Sequence, residues 1–167
     1  RVNMVSDYKE ILSDSAKGMK RSAIRELLKL TQKPEIISFA GGLPAKESFP
    51  LEQLQEICAE VIATDGAAAC QYGSTEGVPE LLEILAQRYR DQGLSYVTKE
   101  NITIITSSQQ GLDTVGKIFL NRGDKYICEL PSYLGALGAF NSYGGVGVGI
   151  PQDEQGMSAV ELEKTLA

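Results

Sequence analysis

The sequence predicts an α/β fold, a mainly parallel sheet with crossover helices, preceded by an N-terminal helical segment. Three observations carry this. From Asn101 onward, β-prone runs alternate with helix-periodic ones, and that order calls for parallel strands joined by crossover helices. Upstream of Asn101 the apolar residues recur at helical spacing, with Gly and Pro punctuating the segments. The chain has 167 residues, 43% hydrophobic and 23% charged, which is the composition of a folded protein of about one domain.

Taken in order, Ile24, Leu27, Leu28 and Leu30 fall at near-helical spacing and Pro34 closes the segment, so a short helix is expected from Ser22 to Leu30. The run Ile36–Ala40 is β-prone and leads into Gly41-Gly42-Leu43-Pro44, where paired glycines allow close backbone approach. A helix from about Leu51 to Thr64 carries Leu54, Ile57, Cys58, Val61 and Ile62 on one face. The polar loop Gln71-Tyr72-Gly73-Ser74-Thr75-Glu76-Gly77 follows, and Pro79 opens a helix bearing Leu81, Leu82, Leu85 and Tyr89 that Gly93 stops. Then come strand Asn101–Thr106, helix Ser108–Leu120, strand Lys125–Leu130, helix Tyr133–Ser142, strand Val146–Ile150 and a helix from Ser158.

Composition narrows the chemistry. With no His, a His-based triad and imidazole zinc sites are excluded, and proton transfer falls to Lys, Tyr, a carboxylate or a cofactor. No metal site is expected. A net charge of -6 without a basic cluster speaks against nucleic acid as a partner. No apolar stretch reaches the roughly 18–20 residues of a membrane span, so no membrane association is expected. Cys58, Cys70 and Cys128 form no CxxC pair, and Cys58 and Cys128 lie in apolar-periodic segments where a thiol acts as a small hydrophobe. They read as reduced and structural, and the protein as cytoplasmic.

Two glycine patterns are set aside. Gly111, Gly116 and Lys117 imitate the start of a phosphate loop, but Ile118 stands where Ser or Thr would hold a metal. Glycines on that helix read better as permitting close helix-to-sheet packing. The cluster from Gly144 to Gly149 does not satisfy GxGxxG, and it reads as a tight turn into a strand with close neighbours.

The turn after strand Asn101–Thr106 is more informative. It delivers Ser107-Ser108-Gln109-Gln110 to a helix N-terminus at the carboxyl end of a strand. Free N–H groups, the helix dipole and two hydroxyls make an anion cradle there, in the position where α/β sheets bind ligands. Ser108 could instead simply cap the helix.

Three segments carry a resemblance: Ile24 to Pro50 (IRELLKLTQKPEIISFAGGLPAKESFP), Gln71 to Gly77 (QYGSTEG) and Ile105 to Ala136 (ITSSQQGLDTVGKIFLNRGDKYICELPSYLGA). In order and spacing the sequence resembles the fold-type I, pyridoxal-phosphate-dependent aminotransferases of the class I/II family. It is most similar to the branch holding 2-aminoadipate, kynurenine and aromatic aminotransferases. The resemblance implies that residues 51–167 are the first part of the large cofactor-binding domain. Residues 1–50 would be a helical and extended segment contributing to the substrate pocket and small domain.

Residue by residue, the resemblance implies that Ser108 and Gln109 grip the phosphate of pyridoxal 5'-phosphate, with Ser107 standing where this branch usually has Gly. Tyr133 matches the aromatic that stacks on the pyridine ring. Tyr72 matches the tyrosine that reaches the cofactor phosphate of a neighbouring subunit, which implies a homodimer with shared active sites. Gly42 matches the backbone that binds the substrate α-carboxylate, and Arg25 and Ser22 match positions over the substrate pocket. The implied activity moves an amino group between an amino acid and a 2-oxo acid.

No Asn-Pro-x-Gly stretch occurs in the 167 residues, and by the resemblance the Asp that pairs with the pyridinium nitrogen and the Ser-x-x-Lys of the Schiff-base lysine are expected to follow Ala167. The expectation is an N-terminal fragment of a longer enzyme that holds no catalytic residue of its own and is inactive alone. Two alternatives stand beside it: the aminotransferase-like effector-binding domain of a transcription regulator, and a catalytically dead dimerising fragment.

Overall fold

The computed structural model describes residues 8–19, 36, 37, 39 and 42–167. The expected helix Ser22–Leu30 lies outside the described residues, as do Ser22, Arg25 and Gly41. The chain divides into two compact units, Ser22–Ile104 and a second that joins Arg1–Arg21 to Ile105–Ala167.

Within the second unit the described elements are α1 (Asp14–Gly18), α2 (Ser108–Phe119), β1 (Lys125–Leu130), α3 (Leu134–Ser142), β2 (Val146–Asp153), β3 (Gly156–Met157) and α4 (Ala159–Leu166). β1 and β2 pair in parallel, Lys125 opposite Val146 through Leu130 opposite Pro151, with α3 as their crossover. Two residues of β3 turn back antiparallel on β2, Gln152 opposite Met157. The result is a small mixed sheet of the α/β class, as expected. Ile150, 1% exposed, and Ala139 are its buried centre. The glycines of β2 are where β1 side chains need room: a Cβ on Gly147 would meet the Tyr126 ring, and one on Gly149 would meet Leu130. This is the close-neighbour strand that the cluster from Gly144 to Gly149 was read as. Gly144 has φ +79 in the turn beside Arg122.

Gly116 does serve close packing, but against a helix rather than the sheet. A Cβ there would lie 2.9 Å from the ring of Tyr143, at the end of α3, and 3.3 Å from that of Phe140. The α2–α3 contact is tied by the Tyr143 hydroxyl, which donates to Asp113 at 3.0 Å. α1 is held on the same unit by Ser15, whose hydroxyl donates to the carbonyl of Ser142, and by an ion pair of Asp14 with Arg122 at 2.9 Å.

The first unit holds α5 (Leu51–Ala69) and α6 (Pro79–Asp91). α5 runs regularly to Thr64, the expected end, then breaks helical geometry at Asp65 and adds a final turn to Ala69. Pro79 opens α6 and Gly93, at φ +95, follows its end. α6 buries Leu82 and Ala86, while α5 buries none of its residues. Cys58 and Cys70 are exposed and Cys128 is half-buried, all three unpaired. Cys58 is therefore not the packed hydrophobe that its spacing implied.

One expected strand is absent among the described residues, and of the β-prone run Ile36–Ala40 only three residues are described. Ile36, Ile37 and Phe39 carry no regular structure. Asn101–Thr106 instead begins in a 3-10 turn, Lys99–Asn101, and continues unpaired. Its backbone is extended at Ile102 (φ -121, ψ 136), but a strand is completed by ladder partners. Here, among the described residues, one backbone bond reaches a distant segment, from the Ile104 amide to Glu76 O at 2.7 Å.

Candidate functional site

The amino end of α2 is shaped by side chains as much as by the helix. Ser107 is the N-cap, in extended conformation (φ -166, ψ 168), and its hydroxyl makes no capping bond. Ser108 is the first helical residue, so it does not cap either, and its hydroxyl has no partner among the described residues. The amides of Ser108 and Gln109 precede the first intrahelical acceptor, since the earliest bond here runs from Gln110 N to Ser107 O at 3.0 Å. The Gln110 side chain reaches back to accept from the Thr106 amide at 2.6 Å. What remains is a helix end with two N–H groups that have no partner among the described residues, a hydroxyl and a positive dipole end, which suits an anion such as phosphate.

Beside it, β1 ends at Leu130, a cis peptide leads to Pro131, and Tyr133 is the N-cap of α3. Tyr133 is 67% exposed, an aromatic face open at the carboxyl end of a parallel strand. Its loop is fastened on both sides. Gln152 of β2 donates to Pro131 O at 2.9 Å, and Gln109 donates its carboxamide N–H to Gly135 O at 3.2 Å. Gln109 thus offers its backbone amide to the anion position while its side chain holds the first turn of α3. Ser108, Gln109 and Tyr133 come together in one unit, at one end of one sheet. Sequence reasoning missed Gly135 and Gln152. Gly135 had a signal in its two-residue spacing from Tyr133, whereas Gln152 had none.

Two tyrosine hydroxyls at the opposite end of the same helix pair and strand, beside the last turn of α3, are shifted. Partial burial first, and then the Asp113 carboxylate that accepts its proton, push the Tyr143 hydroxyl above the usual tyrosine range. Burial also raises Tyr126, whose hydroxyl donates to Asn141 at 2.9 Å.

The other expected residues lie in the first unit. Tyr72 is 99% exposed, and its ring has no partner among the described residues. Its loop is folded by Ser74, whose hydroxyl donates to Gly77 O. Gly77, at φ +129, sits against Ile104 with no room for a Cβ. Gly42 is exposed, with open space where a side chain would be. Among the described residues no cluster of His, Cys, Asp or Glu could hold a metal ion, and no helix is long and apolar enough to cross a membrane.

The chain is similar to aminotransferases along nearly its whole length. It is 45% identical to the aromatic-amino-acid aminotransferase 1 of Thermococcus litoralis, over 96% of this chain and 38% of that protein. The solved α-aminoadipate aminotransferase LysN of Thermus thermophilus, complexed with N-(5'-phosphopyridoxyl)-L-leucine, superposes with a TM-score of 0.83 at 39% identity, covering 96% of this chain and 38% of that one. The kynurenine aminotransferase of Pyrococcus horikoshii gives a TM-score of 0.83 at 40% identity, over 98% and 40%. The matches extend to proteins named as HTH-type transcriptional regulators, one from Bacillus subtilis at 25% identity over 93% of this chain. The chain spans about two fifths of the length of the aminotransferases it matches. These relatives indicate pyridoxal phosphate as the cofactor, and a phosphate-ready helix end beside an open aromatic fits that group. The family model for aminotransferases of class I and II matches residues 34–167, and the chain belongs to that family.

Proposed function

We propose that the full-length protein is a pyridoxal-phosphate-dependent aminotransferase that moves an amino group between an amino acid and a 2-oxo acid, and that this chain is its N-terminal part. The observation that carries the reading is the junction at Gln109, which ties a helix N-terminus with unused N–H groups to the turn bearing Tyr133. When bound, pyridoxal phosphate supplies the electron sink that stabilises charge developing at a substrate's Cα. This chain's part is to bind and orient it. The Ser108 and Gln109 amides and the Ser108 hydroxyl would hold the phosphate, and the exposed Tyr133 ring would supply the aromatic contact to the pyridine.

The remaining assignments follow the same reading. Tyr72 serves the phosphate site of a second subunit, so the protein is a homodimer with shared sites. Gly42 offers backbone to the substrate α-carboxylate, and Ser22 and Arg25 serve substrate recognition, Arg25 favouring a distal carboxylate. Three unpaired cysteines accord with a reducing, cytoplasmic setting.

The test is transfer of labelled nitrogen from an amino acid to a second 2-oxo acid by the full-length protein supplied with pyridoxal phosphate. The proposed reading requires label in the new amino acid. Similarity to regulator-named proteins favours a second reading, an effector-binding domain, under which cofactor binds, no nitrogen is transferred and the protein retains a DNA site.

A further inference from the structure

We propose that Gly135 is a positioning residue: the missing Cβ at this one position sets both the Tyr133 ring and the Gln109 carboxamide. Gly135 is the second residue of α3, and its φ is not in the left-handed region, so the backbone there does not ask for glycine. Helix propensity favours alanine. Space explains the glycine instead. A Cβ would stand 2.6 Å from Gln109 Oε1 and 2.6 Å from Tyr133 Cζ, with Tyr133 Cε1 closer still.

The three nearest atoms in the way all belong to side chains rather than to backbone. A methyl group there leaves the fold standing and moves the two groups, and Tyr133, already 67% exposed, has solvent to swing into. The Gln109 carboxamide would lose its hold on Gly135 O. Gly138, one turn further along the same helix, has nothing within 4 Å of its Cβ position. It is an internal control with the same chemistry and no neighbour. The consequence for ligand binding rests on the proposed reading of this end as the cofactor site, while the displacement of Tyr133 does not.

The experiment compares Gly135→Ala with Gly138→Ala in the full-length protein. Fluorotyrosine NMR, with the Tyr133 resonance assigned through Tyr133→Phe, reads the ring without cofactor, and titration with pyridoxal phosphate reads binding. Gly135→Ala is expected to shift the Tyr133 resonance and weaken binding about tenfold, the combined worth of one aromatic contact and one hydrogen bond. Gly138→Ala is expected to do neither. In a Tyr133→Leu background, where the ring clash is gone, Gly135→Ala should add much less than it does alone. An unmoved Tyr133 resonance in Gly135→Ala overturns the proposal, as does full additivity in the Tyr133→Leu background. A resonance that shifts in a protein that binds no pyridoxal phosphate, wild type included, supports the positioning role and overturns the cofactor reading.

Discussion

The amino end of α2 and the loop around Tyr72 are both irregular, glycine-bearing and exposed, yet they differ in how far the chain fixes them. At α2 each piece has a brace: Gln110 on Thr106, Gln109 on Gly135, Gln152 on Pro131. In the Tyr72 loop the backbone is folded by Ser74 and Gly77, but the tyrosine ring is left almost wholly in water. A side chain held by its own chain can pre-form a site. A side chain held by nothing costs side-chain entropy, roughly 1 kcal/mol or more, when it is finally ordered, so its function lies in whatever it meets next. That contrast is what the proposed division of labour, phosphate cradle from one subunit and Tyr72 from another, would require.

The largest expected effect tests the brace. Ile150→Ala empties the large side chain fully buried beneath the β1–β2 pair. It should cost about 2–5 kcal/mol in urea unfolding and loosen the α2 end with it. Next in size, Tyr72→Phe should weaken pyridoxal phosphate retention by about 1.5–3 kcal/mol, the worth of a hydrogen bond to a charged group. Because the ring touches nothing among the described residues of its own chain, thermal unfolding of the cofactor-free protein should not move. A fall in that Tm would mean the loop is braced after all and would erase the contrast.

The smallest effect is alkaline. The Tyr143 hydroxyl is raised above its ordinary value by burial and by Asp113. A group raised on folding contributes stability that is present below its unfolded pKa, about 10, and is lost as pH climbs through the folded value. Tyr143→Phe should therefore be slightly less stable than the wild type at neutral pH, where the hydroxyl's contribution is present, and should show a flatter alkaline limb, the two curves converging as pH rises. A limb as steep in the variant as in the wild type would remove Tyr143 from the bracing.

Much of this was legible in the sequence, and what was not has physical reasons. β1 spans Lys125–Leu130 as the run KYICEL implied, because β-prone residues bounded by a glycine turn and a proline leave little choice. Helix α2 was equally plain. Asn101–Thr106 has the composition of a strand but lacks a ladder partner among the described residues, and pairing is a property of two segments. α5 was legible as a helix, but not the fact that Leu54, Ile57 and Ile62 would all stay exposed, since periodicity marks an apolar face and says nothing of what covers it. At the site, the residue types of Ser108, Gln109 and Tyr133 could be read. The contact of Gln109 with Gly135 joins residues 26 apart and depends on an absent methyl group, which no local pattern displays.

The central claim is that this chain contributes the phosphate and ring contacts of an aminotransferase site. Its most direct measurement is the absorption spectrum of the full-length protein reconstituted with pyridoxal phosphate, taken before and after an amino acid is added, and again after a 2-oxo acid. The account predicts a bound-cofactor band that the amino acid converts to the pyridoxamine form and the 2-oxo acid restores. A folded protein, saturated with cofactor, whose band ignores both a panel of amino acids and their 2-oxo acids would contradict it.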